Sequence, residues 1–291
     1  MTEAGRAEPG EAGSRRIDSL AWATDIDVLP VDHRAERRAE YVVVRSPSNP
    51  HHYWGNWLLF DDAPVAGDGP RWEQRFEAEF AGDTQVVHRT FGWDRIDGRL
   101  GAAEAEFLDR GYELERTVAL VAGPDELQPH ARQNQEIKVR MLDPRRGADH
   151  VVWEQVARLQ MANRDPREDA AAHELFTRTR LADLRTLFRQ GRGGWYVALA
   201  PGTDEVVGSL GIVVTSGRGR FQVVDTAADH RRRGICSRLV VEAARHAARR
   251  WTIRRLVIAA DPDYHALGLY ETLGFRPREQ VAGVLRRPPA Q

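Results

Sequence analysis

The stretch VVDTAADHRRRGICS, residues 223–237, decides how this chain is read. A β-rich run ends in Asp225 and Thr226, three arginines follow, and Gly234 opens an amphipathic segment. A strand–turn–helix junction of this kind offers an anion site. The first amides of a helix lack intrahelical acceptors, and the helix dipole favours negative charge beside them. Arg231, Arg232 and Arg233 add guanidinium groups suited to phosphate. Gly234 has no Cβ, so the backbone there approaches a ligand closely. Taken alone, the same arginines also describe a solvated basic loop.

The flanking sequence narrows the choice. Ile235, Leu239, Val240, Ala243, Ala244 and Ala247 recur at helical spacing with Arg and Glu opposite, so a helix is expected to about Arg250. IRRLVIAA (253–260) reads as a strand, and DPDYHALGLYETLGF (261–275) follows it. Arg231-x-x-Gly234-x-Cys236 resembles the R/Q-x-x-G-x-G/A signature of the GCN5-related N-acetyltransferases, the GNAT family. Ala266, Leu269, Tyr270, Leu273, Gly274 and Phe275 resemble its second signature, in which a helix carries A-x-x-L-Y and ends in L-G-F. Tyr270 follows Gly234 by 36 residues, a separation typical of that family. The resemblance covers the C-terminal half. It implies an α/β (α+β) fold, the GNAT acyl-CoA N-acyltransferase fold, with a mixed central sheet flanked by helices. The residues alone reach an α/β domain with a phosphate-binding turn.

The 291 residues suffice for two domains of ordinary size. A net charge of −1 gives no global field for nucleic acid or an anionic membrane. The RRR and RRxxRR runs lack an aromatic stacking platform, so nucleic-acid binding is not expected. Lys138 is the only lysine, and Cys236 is the only cysteine, which excludes an intramolecular disulfide and a cysteine-built zinc site. No apolar run approaches the ~20 residues of a membrane span, and MTEAGRAEPGEAGSRR has no apolar signal core. A cytoplasmic monomer or homodimer is the default expectation.

The chain divides into a disordered tail (1–18), a first α/β segment (19–124), a polar proline-containing linker (125–135) and a second domain (136–291). In the first segment, 41–46, 53–60, 86–93 and 113–122 read as strands. RWEQRFEAEF reads as a helix with Trp72, Phe76 and Phe80 on one face, and a further helix is expected over about 101–110. In the second, 136–142, 195–200, 205–214 and 220–226 read as strands, with one or two helices over 147–190. A shift of 163 residues lays FLDRGYELERTV (107–118) over YETLGFRPREQV (270–281), placing Ala103 on Ala266, Gly111 on Gly274 and Tyr112 on Phe275. The first segment then reads as a smaller, degenerate GNAT-like copy. Phe107 stands at the Tyr270 position, no R-x-x-G-x-G/A loop precedes it, and this silent half is expected to wall the acceptor pocket.

Amine acetylation from a thioester requires a held cofactor, a neutral amine and neutralisation of developing charge. By resemblance, the co-substrate is acetyl-CoA, no metal is needed, and the acceptor is a primary amine of a small molecule or peptide, attacking directly in a ternary complex. Backbone donors over Arg231, Arg232, Arg233, Gly234, Ile235, Cys236 and Ser237 are expected to meet the pyrophosphate. Val224, Asp225 and Thr226 are expected to pair with the pantetheine arm between two splayed parallel strands. Tyr270 is the expected proton donor to the departing thiolate, a phenol of pKa ~10 being protonated at neutral pH. Asp225 is the expected general base, sharing a face with Phe221 and Val223 if the strand alternates regularly. Glu205, His230 and His265 are weaker rivals. Cys236 stands where Gly or Ala is usual; a helix N-terminus could lower its pKa, but a bound pyrophosphate would oppose that, so a covalent cysteine is not expected. Asp263 stands where the family often has Asn, which alters that cofactor contact. Gly268 loosens the helix beside Tyr270. NPHHYWGNW (49–57) reads either as an acceptor pocket or as a well-packed turn. A catalytically silent acyl-CoA-binding sensor or scaffold is the alternative reading.

Overall fold

The computed structural model describes residues 16–145 and 147–288. Most of the expected tail lies outside them, although residues 16–18 are described and the Asp18 amide donates to the Asp94 carboxylate at 2.7 Å. The first half contains α1 (Leu20–Asp27), β1 (Arg34–Arg37), β2 (Tyr41–Arg45), β3 (Trp57–Phe60), α2 (Asp68–Phe80), β4 (Arg89–Trp93), α3 (Glu104–Asp109) and β5 (Glu113–Ala122). The second contains β6 (Lys138–Met141), α4 (His150–Ala162), α5 (Ala170–Arg189), β7 (Gly193–Leu199), β8 (Val206–Thr215), β9 (Arg218–Thr226), α6 (Ile235–Arg250), β10 (Arg255–Ala260), α7 (Ala266–Thr272) and β11 (Arg276–Arg286). All the strands join one mixed sheet in the order β1-β2-β3-β4-β11-β5-β10-β9-β8-β7-β6.

The centre of that order shows an exchange. β11 lies antiparallel between β4 and β5, and β5 lies antiparallel between β11 and β10. Each half therefore lends its last strand to the other half's sheet. The 163-residue shift reappears as geometry. Gly111 and Gly274 both adopt positive φ, at 79° and 104°. The Tyr112 amide donates to the Phe107 carbonyl at 3.0 Å, and the Phe275 amide to the Tyr270 carbonyl at 3.1 Å. Both helices thus end in the same left-handed glycine cap, which only a residue without Cβ adopts cheaply.

Helices cover both faces because each has one apolar stripe to bury. On one face α6 lays Leu239, Val240, Ala243 and Ala247 against Tyr196, Leu210 and Phe221, while Trp72, Phe76 and Phe107 of α2 and α3 pack on Phe60, Phe91 and Trp93. On the other, α4 and α5 cover Trp195, Val197 and Val213, and Trp22 of α1 packs with Trp57, Ala119 and Val281. α1 is tied to the second half by ion pairs from Asp27 to Arg218 and from Asp25 to Arg220, each at 2.5 Å.

Several expected elements begin late. Residues 53–55 form a 3-10 turn instead of strand, β4 starts at Arg89 instead of 86, and 101–103 form a 3-10 turn ahead of α3. The turn forms because Asn56 bonds on both sides. Its Oδ1 accepts from the Ser46 amide, and its Nδ2 donates to the carbonyls of Asn49 and His52.

Candidate active site

The site sits where β9 and β10 part. Their parallel register runs Arg218↔Arg255, Gly219↔Leu256 and Arg220↔Val257 and goes no further. Both strands continue, to Thr226 and Ala260, as two unpaired edges facing a gap. β9 also carries a bulge. Val223 adopts φ 42°, and the pairing with β8 jumps from Gly211↔Gln222 to Ser209↔Asp225. An extra residue breaks the period of two. The regular alternation placing Phe221, Val223 and Asp225 on one face is therefore not what the chain does. Phe221 is buried under α6, Val223 is exposed, and Asp225 turns to α4, where Asn163 Nδ2 donates to its Oδ1 at 3.1 Å.

Beyond Thr226 the chain makes a 3-10 turn over 228–230 and reaches α6. Gly234, at the helix N-cap, has φ 72° and no side-chain cap. A Cβ there would collide with the Arg132 carbonyl and lie 2.7 Å from the Asn134 nitrogen. This contact with the linker, which the sequence reading did not foresee, is a second reason for glycine. Asn134 fastens the linker by donating from its amide to the Gly234 carbonyl at 3.0 Å and from Nδ2 to the Arg233 carbonyl at 3.1 Å. Among the described residues, the backbone N–H groups of 232–237 have no protein acceptor. The Arg231 amide, by contrast, is bonded to the Ala228 carbonyl. Ser237 turns its hydroxyl to the Gly234 carbonyl and Ile235 is buried, so these two offer only their backbone. Arg232 and Arg233 are exposed, without ion-pair partners among the described residues. Arg231 is engaged, with one terminal nitrogen on Asn163 Oδ1 at 2.7 Å and Nε on the Thr226 carbonyl at 3.3 Å.

Tyr270 on α7 is 5 % exposed and its hydroxyl has no protein hydrogen-bond partner among the described residues. Burial pushes that hydroxyl well above its ordinary pKa, with Cys236, Tyr264 and Asp225 adding to the rise. It is a phenol, not a phenolate, at neutral pH. Burial pushes the Cys236 thiol up to about 12, with Asp225 adding to it, so the thiol is the inert form and not a nucleophile. Burial raises the Asp225 carboxyl, while Asn163, Arg231 and His173 hold it back. The other named residues lie further out. Glu205 is exposed at the β7–β8 turn, and Asp263 and His265 are exposed ahead of α7. His230 is part-buried in the 228–230 turn, and Val224 and Thr226 are part-buried on β9. Nothing crowds Gly268 within 4 Å. Asn163 is the site residue that sequence reasoning missed.

The equivalent position in the first half is filled by the protein itself. β3 and β4 are parallel with α2 between them, as β9 and β10 are with α6. Gly67 precedes α2 with φ 90°. The Glu106 carboxylate accepts from the Gly67 amide at 2.7 Å and from the Gly69 amide at 3.0 Å. An internal anion thus occupies the helix start.

The segment 49–57 packs as a turn. His52 lies 5.3 Å from Phe176 of α5 by ring centroid, Tyr53 packs at a tilt against His88, and Trp54 Nε1 donates to Glu115 at 2.8 Å. It nonetheless lies beside the α4–α5 connection, whose Glu168 and Asp169 act on the Tyr53 hydroxyl. No group of three or more potential metal ligands occurs among the described residues, and no described helix is long and apolar enough to cross a membrane.

Residues 153–275 match the model of the Acetyltransferase (GNAT) family. The second half is therefore a GNAT acetyltransferase domain, and the chain as a whole has a tandem GNAT fold. A functionally unknown conserved protein from Staphylococcus epidermidis superposes with TM-score 0.71 at 13 % identity, covering 89 % of this chain and 95 % of that one. A GCN5-related N-acetyltransferase from Kribbella flavida gives 0.59 at 12 % identity, covering 94 % and 97 %. A tandem GNAT protein from the clavulanic acid biosynthesis pathway gives 0.53 at 14 % identity, covering 96 % and 92 %. At these identities the likeness is one of fold. No curated protein matches the chain.

Proposed function

We propose that the chain is an acetyl-CoA-dependent N-acetyltransferase acting on a primary amine of a small molecule or peptide by direct attack in a ternary complex. The observation that carries this reading is the row of uncommitted amides over 232–237, opening beside the gap between β9 and β10. The residues fit the co-substrate. The amides and the two unpaired arginines suit a diphosphate, and the unpaired edges of β9 and β10 suit the amide groups of a pantetheine arm. Acetyl-CoA supplies the activated acyl group when bound.

The chain's residues then divide the work by sheet face. Asp225 opens toward α4 and α5, so the amine enters there, between the 163–169 connection and the 53–55 turn of the first half. Asp225 takes the ammonium proton, directly or through water, freeing the nitrogen lone pair. The C–N bond forms as the C–S bond breaks, and Tyr270, from the α7 side, donates its phenolic proton to the leaving sulfur. The surplus proton shed by the acylated nitrogen passes through water to restore the phenol, while Asp225 returns its own proton to solvent. Burial raises the basicity of that carboxylate above that of a free aspartate. The first half acts as a wall, because its own helix start is closed by Glu106.

The test is CoA release with a panel of amines, comparing wild type with Tyr270→Phe. Turnover that falls about a hundredfold in the variant supports the reading. CoA binding with no turnover on any amine would transfer it to an acyl-CoA-binding sensor.

A further inference from the structure

We propose that Asn163 is a positioning residue for the Asp225 carboxylate and that, through Arg231, it ties the state of that carboxylate to occupancy of the 232–237 loop. The proposal rests on the acetyltransferase reading above.

Asn163 ends α4, and its backbone amide is held by the carbonyls of Leu159, Gln160 and Met161. Its side chain therefore projects from a fixed point. Nδ2 donates to Asp225 Oδ1 at 3.1 Å and toward the Thr226 carbonyl at 3.4 Å. Oδ1 accepts from Arg231 at 2.7 Å. Both ends of the amide are specified. A carboxylate accepts only and a guanidinium donates only, so a flipped amide would face an acceptor with an acceptor and a donor with a donor. Neither an aliphatic residue nor a carboxylate at 163 could make both contacts.

The groups facing Asp225 come from several elements: Asn163 from α4, His173 from α5, Arg231 from the loop, Cys236 from α6 and Tyr270 from α7. His173 is bonded to Glu168 at 2.6 Å. Arg231 is the permanent cation in this set, and its hydrogen-bonded path to Asp225 runs through Asn163. It also precedes the open amides, so a diphosphate on them lies beside its guanidinium. Such an anion either neutralises the guanidinium in place or draws it from Asn163. Both outcomes weaken the positive influence on Asp225 and raise its proton affinity. The carboxylate becomes the stronger base when the CoA diphosphate occupies the loop.

The measurement is a carboxyl-carbon NMR titration of protein labelled at aspartate, with Asp225 assigned through Asp225→Asn, without and with CoA. In wild type the Asp225 midpoint is expected to rise by about one pH unit on CoA loading, a tenfold change in proton affinity. Asn163→Ala is expected to raise the ligand-free midpoint by a similar amount and to shrink the CoA-induced rise severalfold. Asn163→Asp, should alanine not fold, removes the same donor, adds a like charge and moves the ligand-free midpoint the same way. Equal ligand-free midpoints in wild type and variant overturn the positioning role. An unchanged CoA-induced rise in the variant overturns the coupling. If CoA does not bind wild type, the acetyltransferase reading falls and takes the coupling with it, while the ligand-free comparison still decides what Asn163 does.

Discussion

Replacing Gly234 by alanine tests the loop where backbone conformation and packing coincide. At φ 72° an alanine pays about 1–2 kcal/mol for the left-handed region. Its Cβ also meets main chain on the linker side, the Arg132 carbonyl and, at 2.7 and 2.9 Å, the Asn134 nitrogen and the Gln133 carbonyl carbon. Main chain cannot rotate away as a side chain can, so residues 132–134 must retreat. Retreat loosens the bonds from Asn134 to the Gly234 and Arg233 carbonyls, worth about 1 kcal/mol each. The sum is a loss of about 3–4 kcal/mol, or roughly 6–16 °C in Tm for a chain of this size. Thermal denaturation followed by circular dichroism reads the first effect, and calorimetric titration with CoA reads the second, at least a tenfold weaker Kd from misplaced amides. A variant that melts within a degree of wild type and binds CoA equally would refute both the strain argument and the placing of the diphosphate.

Tyr270→Phe should lower kcat about a hundredfold while leaving Tm within two degrees of wild type, since the hydroxyl has no protein partner to lose among the described residues; a coupled assay for free CoA and a melting curve check the two halves of this statement. Burial pushes the Asp183 carboxyl up to about 6, with Asp32 adding and Arg180 opposing. The folded state therefore holds a proton that the unfolded state releases near pH 4. That stabilisation is complete below pH 4 and fades as pH rises through 6, by about 1–2 kcal/mol after allowance for solvent screening at a part-exposed group. Asp183→Asn should flatten the fall in urea midpoints between pH 4 and 7, and an unaltered slope would contradict it. Glu106→Gln should cost about 1–2 kcal/mol by removing the charge from the amides of Gly67 and Gly69. Wild type and this variant should both bind one CoA per chain by calorimetry, and two in wild type would refute a closed first half.

The parts of the fold legible in the sequence are those fixed locally. The α6 stripe, the 113–122 strand and the glycine-opened loop each depend on neighbours within a few residues, and they occur where the pattern placed them. β11 was not legible. Its Pro277, arginines and Gly283 disrupt a two-residue period, and its extended form comes from pairing with β4 and β5 on both edges. α1 is eight residues long and is held by Trp22 and by the pairs to Arg218 and Arg220, which no local pattern announces. At the site, the free amides follow from the turn itself. The facing of Asp225 depends on a bulge at Val223, a β-branched residue with no sequence sign of positive φ. Asn163, at a helix end, reads as an ordinary polar stop until α4 is laid beside β9.

The crossed strands at the centre of the sheet have a consequence for biosynthesis. The edge of β4 is closed by residues 283–286, so the amino-terminal half cannot complete its architecture until β11 has been made. Until those residues are made, β4 and β5 each present an unpaired hydrogen-bonding edge, a surface that invites mispairing with another nascent chain. The seam is complete only when both halves are present, and expression of either half alone leaves uncovered an edge that the whole fold pairs.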